Sequence, residues 1–171
     1  MTPIEHLQQR AKDLHLYGLL AHWHELADSG WVEQLLIWEE TERAKRSLER
    51  RLGSAHIGRF KPIADFDWAW PKKIDRDAIE SALRLDFIAQ ARNVVLVAPQ
   101  GLGKTMIAQN IGHQAVLAGH SVRFVTASQL LLDLGAQESA RTLDQRLRHY
   151  CTRTALLVID EIGYLSYDNR N

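Results

Sequence analysis

The sequence predicts an α/β domain built on a parallel sheet, preceded by a small all-α domain, and three observations carry that prediction. The apolar run Val94-Val95-Leu96-Val97 empties into Ala98-Pro99-Gln100-Gly101-Leu102-Gly103-Lys104-Thr105. A second apolar run, Ala155 to Ile159, ends in Asp160-Glu161. Between and ahead of these runs, apolar residues recur at helical rather than alternating spacing.

The first run reads as a buried strand ending near Val97, followed by a phosphate-binding loop. Gly101 and Gly103 let the backbone fold back so that several N–H groups point inward, and a helix opening at Lys104 adds the positive end of its dipole. Lys104 is expected on the β- and γ-phosphates and the Thr105 hydroxyl on Mg²⁺, as the Walker A pattern G-x-x-x-x-G-K-[ST] requires. Pro99, Gln100, Gly101, Leu102, Gly103, Lys104, Thr105 and Met106 are the expected nucleotide-holding residues. Ala98 stands where the first glycine of the pattern belongs. Alanine there adds one methyl group and disfavours only a left-handed backbone.

The second run reads as a Walker B strand, buried on both faces, that delivers two carboxylates to a cleft. Asp160 is expected to complete the Mg²⁺ shell, directly or through water. Glu161 is expected to orient and polarise the water that attacks the γ-phosphate.

The remaining elements follow in order. Thr2-Pro3 begins a helix with Leu7, Ala11 and Leu14 on one face. A break at Gly18 precedes a second helix carrying Leu19, Leu20, Trp23, Leu26 and Ala27, which Ser29-Gly30 ends. A third helix runs from Trp31 to about Leu52. Gly53, Gly58 and Pro62 interrupt any period, so residues 53–63 read as a linker and the domains as 1–64 and 65–171. Asp65-Phe66-Asp67-Trp68 leads to a helix capped by Asp75 and bearing Ile79, Leu83, Phe87 and Ile88. After the loop, Ile107, Ile111 and Ala115 mark a helix closed by Gly119, and Ser121 to Val125 a strand, so that 94–125 forms a β-α-β unit with parallel strands. Ser128 caps a short helix through Leu134. Leu143, Leu147 and Tyr150 share a face of another helix, with Arg146 and Arg148 turned to solvent.

Composition sets outer limits. With 46% hydrophobic residues and zero formal net charge, the chain has the makings of a core, and its overall charge selects neither nucleic acid nor membrane. Cys151 is the only cysteine, which excludes an intrachain disulfide and a cysteine-based zinc cluster. No apolar stretch is long enough for a bilayer and no signal-peptide pattern opens the chain, so no membrane partner and a cytoplasmic address are expected. Charge is uneven: Arg43, Lys45, Arg46, Arg50, Arg51, Arg59 and Lys61 face Glu49 alone between 43 and 61. That stretch is either a solvated, dipole-matched helix end or a surface for DNA phosphates. His22 and His24 flank Trp23, but positions i and i+2 of a helix face apart and form no metal pair.

Together, Asp65-Phe66-Asp67-Trp68, Leu85-Asp86-Phe87-Ile88, the loop, and Leu157-Val158-Ile159-Asp160-Glu161-Ile162-Gly163-Tyr164-Leu165 resemble the IstB family. These are AAA+ class ATPases that help insertion-sequence transposition and are similar to the DnaC helicase loaders. The resemblance implies a P-loop NTPase core of AAA+ type that binds and hydrolyses ATP with Mg²⁺. It also implies assembly on double-stranded DNA as a ring or helical oligomer, and recruitment or activation of a cognate transposase, with the N-terminal helices supplying DNA or transposase contacts. Phe66 to Trp68 would either border the adenine or dock an extended arm. AAA+ proteins continue into a sensor strand, between the loop strand and the Asp-Glu strand, and an arginine finger. The chain stops soon after Leu165, so the expectation is a parallel sheet incomplete at the C-terminus, a fragment of a longer protein, and impaired hydrolysis. A helicase loader, a non-catalytic truncated regulator and a P-loop kinase are the alternatives.

Overall fold

The computed structural model describes residues 2–26 and 29–164. Ala27 and Leu165, both named above, lie outside the described residues. Two compact units, Met1–Glu49 and Arg50–Asn171, divide the chain.

In the first unit, α1 (Pro3–Asp13) starts as its sequence demands. The Thr2 hydroxyl accepts from the Glu5 N–H while the Glu5 carboxylate accepts from the Thr2 N–H, with proline at the first helical position. The chain turns at His15, whose φ is 53°, and not at Gly18, which lies inside α2 (Tyr17–Ala21). The short α3 (Trp23–Leu26) and the long α4 (Val32–Ala55) follow. Ala11, Leu14, Trp23, Val32 and Leu36 form the buried core. Large apolar side chains removed from water contribute about 1.5–3 kcal/mol each, so Trp23 and Leu36 anchor the unit. Arg10 straddles this core and grips Glu40 through two parallel bonds of 2.8 Å.

The division at residues 49 and 50 falls within α4, whereas sequence punctuation put it near 64. Residues 53–63 carry glycines and a proline, yet much of the segment is packed. Ala55 and Ile57 are buried. The buried Asn110 side chain donates to the Lys61 and Met106 carbonyls and accepts from the Ile63 N–H, and Gln109 donates to the Ile57 carbonyl. Burying an amide is tolerable only when its bonds are satisfied, and here they tie the segment to α7 (Lys104–Leu117).

The second unit continues with α5 (Arg76–Leu83), capped by Asp75, and α6 (Asp86–Ala89), separated from it by the left-handed Leu85 (φ 68°). After α7 come β1 (Val122–Thr126), α8 (Ala127–Gly135), α9 (Ala140–Cys151) and β2 (Leu156–Asp160). β1 and β2 pair in parallel, Val122 opposite Leu156 and Thr126 opposite Asp160. α7 lies against both strands. Phe66, Ile79, Ala82, Ile107 and Ile111 make the neighbouring core. The cap of α8 is Thr126, in a capping box with Gln129, and not Ser128.

The α/β class with an incomplete parallel sheet holds, but its membership differs from the expected one. Residues 94–97 form no strand; among the described residues the sheet has two strands, β1 and β2. A strand needs a neighbour for its N–H and C=O groups, and no ladder reaches this run. Val95 is 78% and Val97 89% exposed, where a buried strand was expected. The parallel β-α-β unit spans 122–160 in place of 94–125. β2 is likewise only half-buried, with Ile159 exposed. Among the described helices, none is long and apolar enough to cross a membrane.

Candidate functional site

The loop turns on two left-handed glycines, Gly101 (φ 76°) and Gly103 (φ 82°). Gly103 is constrained twice, because a Cβ on it would sit 2.6 Å from the Phe66 ring. Phe66 is buried and meets the Trp68 ring at 4.8 Å, and the Arg76 guanidinium covers Trp68 at 4.7 Å. The segment 66–68 therefore docks as an arm that braces the loop from beneath.

Gly103 is the N-cap of α7 and offers no side chain to its first N–H groups. Those donors need an acceptor, and the helix dipole favours a negative one. Lys104 folds back over the loop, its Nζ donating to the Ala98 and Pro99 carbonyls at 2.7 Å each. A helix start and one ammonium thus lie together at the end of the loop.

The Thr105 hydroxyl donates to Asp160 Oδ2 at 2.8 Å across 55 residues of sequence. The other carboxylate oxygen of Asp160 accepts from the Glu161 N–H at 2.9 Å. Adjacent ligands of an octahedral Mg²⁺, each at about 2.0–2.1 Å, lie about 2.9 Å apart. The Thr105 and Asp160 oxygens thus have the spacing of neighbouring ligands, and Mg²⁺ fits the pair. Among the described residues no cluster of three or more His, Cys, Asp or Glu is placed to hold a metal. Glu161 is exposed and left-handed (φ 60°). Non-glycine residues in that region are uncommon and concentrate at functional sites.

Pro99 and Gln100 form the exposed outer turn of the loop, Leu102 is half-buried, and Met106 packs on the Phe66 core. The basic stretch is partly committed to structure: Arg43 pairs with Glu39 at 3.0 Å, Arg46 donates to the Glu42 carbonyl, and Arg51 donates to Val116 at the end of α7. Arg148 is exposed and pairs with Asp144. Arg146 is only partly in solvent. It donates to Asp133 Oδ2 at 2.5 Å, and Tyr150 donates to the same oxygen at 2.7 Å. The Arg146 bond, aided by the Tyr150 hydroxyl, holds the Asp133 carboxyl below its ordinary range, while burial opposes them. Neither this cluster nor the Phe66 brace was found in the sequence, since both join residues distant along the chain with no motif to mark them.

Comparison with known proteins places the site in a family context. Residues 5–171 match the family model described as IstB-like ATP binding protein. A protein named for ATP binding in insertion sequence IS5376 of Geobacillus stearothermophilus is 30% identical, over 96% of this chain and 68% of its own length. A protein so named in IS21 of Pseudomonas aeruginosa is 34% identical over 72% of this chain and 46% of its own. One in IS232 of Bacillus thuringiensis subsp. berliner is 31% identical over 98% and 67%. The chain spans roughly half to two thirds of the lengths of these three relatives.

Proposed function

Because this chain belongs to the IstB-like ATP-binding protein family, we propose that it is an ATP-dependent helper of insertion-sequence transposition. In this reading it binds ATP at residues 99–106, assembles on double-stranded DNA and recruits or activates a transposase. The observation that carries the nucleotide part is the 2.8 Å bond between Thr105 and Asp160, which unites the end of β2 with the start of α7.

The α7 N–H groups and Lys104 bind the β- and γ-phosphates, the lysine exchanging its two loop carbonyls for phosphate oxygens. Thr105 and Asp160 would hold Mg²⁺, which when bound would supply charge neutralisation of the γ-phosphate. The Glu161 carboxylate, one residue on, accepts a hydrogen bond from the attacking water and takes its proton as the water oxygen bonds to the γ-phosphorus and the bond from that phosphorus to the β,γ-bridging oxygen breaks, with ADP leaving. The names of the relatives, all from insertion sequences, support transposition over helicase loading.

Lys104→Ala is expected to lower ATP affinity by at least a hundredfold, and Glu161→Gln to leave affinity within about threefold while hydrolysis falls by two orders of magnitude or more. Equilibrium binding of a fluorescent ATP analogue and release of inorganic phosphate measure these separately. Normal turnover by Glu161→Gln would remove Glu161 from its role. For the DNA part, affinity for random-sequence duplex should fall with salt, and replacing Lys45 and Arg46 by Gln should flatten that slope. A slope of zero in the parent chain would rule out phosphate contacts.

A further inference from the structure

β1 carries a second polar recess, built from residues outside the nucleotide loop. It has a volume of about 420 Å³ and is lined by Arg123 of β1, Gln129 and Asp133 of α8, Arg146 and Tyr150 of α9, and His56 of the turn after α4. Asp133 is already engaged by Arg146 and by the Tyr150 hydroxyl. Arg123 is left with a long 3.5 Å contact from Nη1 to the Ser54 carbonyl, and its Nε is buried with no acceptor. Buried donors are almost always satisfied by protein, water or a bound ion. Two guanidinium groups also share a single carboxylate, so the recess holds one positive charge in excess.

We propose that this recess is a binding site for a phosphate-class oxyanion, with Arg123 as its principal ligand. The donors come from three separate elements. Arg123 lines the recess from the strand with its Nε lacking an acceptor, and Gln129, whose Oε1 is taken by the Thr126 N–H, has its amide NH₂ to offer from α8. His56 approaches from the turn. Donors converging from several directions suit a tetrahedral anion better than a planar carboxylate, and the Arg fork grips either of two phosphate oxygens in parallel. The recess size falls in the range of small-ligand pockets. The same oxygens could belong to free phosphate or to a phosphodiester of DNA.

The test uses the full chain carrying Lys104→Ala, which silences the nucleotide loop as a competing phosphate site. Equilibrium dialysis with radiolabelled inorganic phosphate, at constant ionic strength, should show one site per chain. Arg123→Gln should weaken it at least tenfold, Arg123→Lys should retain much of it, and excess acetate should not displace it. Gln129→Glu serves where Arg123→Gln compromises folding: glutamate suits the same capping position but brings a negative charge to the mouth, and should also weaken binding at least tenfold. Displacement of the label by random-sequence duplex would assign the site to a phosphodiester, and indifference to duplex would assign it to a free phosphate. Absence of a site in the Lys104→Ala chain, or binding unchanged in both Arg123→Gln and Gln129→Glu, would overturn the proposal. Loss of ATP binding in Lys104→Ala bears only on the nucleotide loop and leaves this result independent.

Discussion

At the scale of single residues, the two loop glycines separate backbone freedom from packing. Both are left-handed, but a Cβ at Gly101 meets open space whereas one at Gly103 meets Phe66 at 2.6 Å. Left-handed backbone costs a non-glycine residue about 1–2 kcal/mol, and overpacking adds about 1–3 kcal/mol. Gly101→Ala should therefore lower stability by about 1 kcal/mol and Gly103→Ala by about 2–4 kcal/mol. Phe66→Leu should recover part of the second loss and none of the first. Urea unfolding of the parent, the three single variants and the two glycine variants combined with Phe66→Leu measures this, and equal losses for the two glycines would remove Phe66 as a brace. Residues of this kind divide sharply in how readable they were. Lys104 and Thr105 announce themselves because phosphate chemistry demands them side by side after a glycine turn. Phe66 does not, because nothing local distinguishes an aromatic that props a loop from one that fills a core. Ser128 reads as a cap from its residue type, but the strand runs to Thr126 and the helix opens at Ala127, so Thr126 holds that place.

At the scale of elements, α8 and α9 are joined by the Asp133, Arg146 and Tyr150 cluster. Asp133 has a lowered native pKa, caused first by the Arg146 bond and then by Tyr150. The sign follows: its contribution to stability is present above the ordinary aspartate value and is lost as the pH falls through the lowered native one. A hydrogen bond to a charged group contributes about 1.5–3 kcal/mol, and partial exposure of this pair reduces that toward about 1–2 kcal/mol. In chloride buffer at pH 7, Asp133→Asn should be destabilised by that amount, with the gap to the parent closing under acid. A gap that stayed constant with pH would show that the carboxylate's charge is not what joins the helices. The helices themselves were legible from Leu143, Leu147 and Tyr150 at helical spacing, but Arg146 was expected in solvent. Helical period assigns a residue to a face; it cannot say that an aspartate thirteen positions earlier will occupy that face. The run 94–97 shows the opposite failure. Its four apolar residues have strand propensity, and propensity cannot supply the neighbour that a ladder requires.

At the scale of the whole molecule, the consequence is an open sheet. β2 pairs with β1 alone among the described residues, and Val95, Val97 and Ile159 are exposed. Exposed apolar strand edges template association. The chain should self-associate with rising concentration in light scattering, and replacing Val95 and Val97 by Lys should suppress this; a monomer at all concentrations would contradict it. α7 and β2 nevertheless bring Thr105 and Asp160 into contact. The most direct test of that convergence is a double-mutant cycle on nucleotide affinity, with Thr105→Val, Asp160→Asn and the pair, each measured with Mg²⁺ and with chelator. If the two oxygens serve one ion, each single variant abolishes the Mg²⁺-dependent gain in ATP affinity and the double variant loses no more. Independent, additive losses, or a gain that survives in Asp160→Asn, would contradict a shared site.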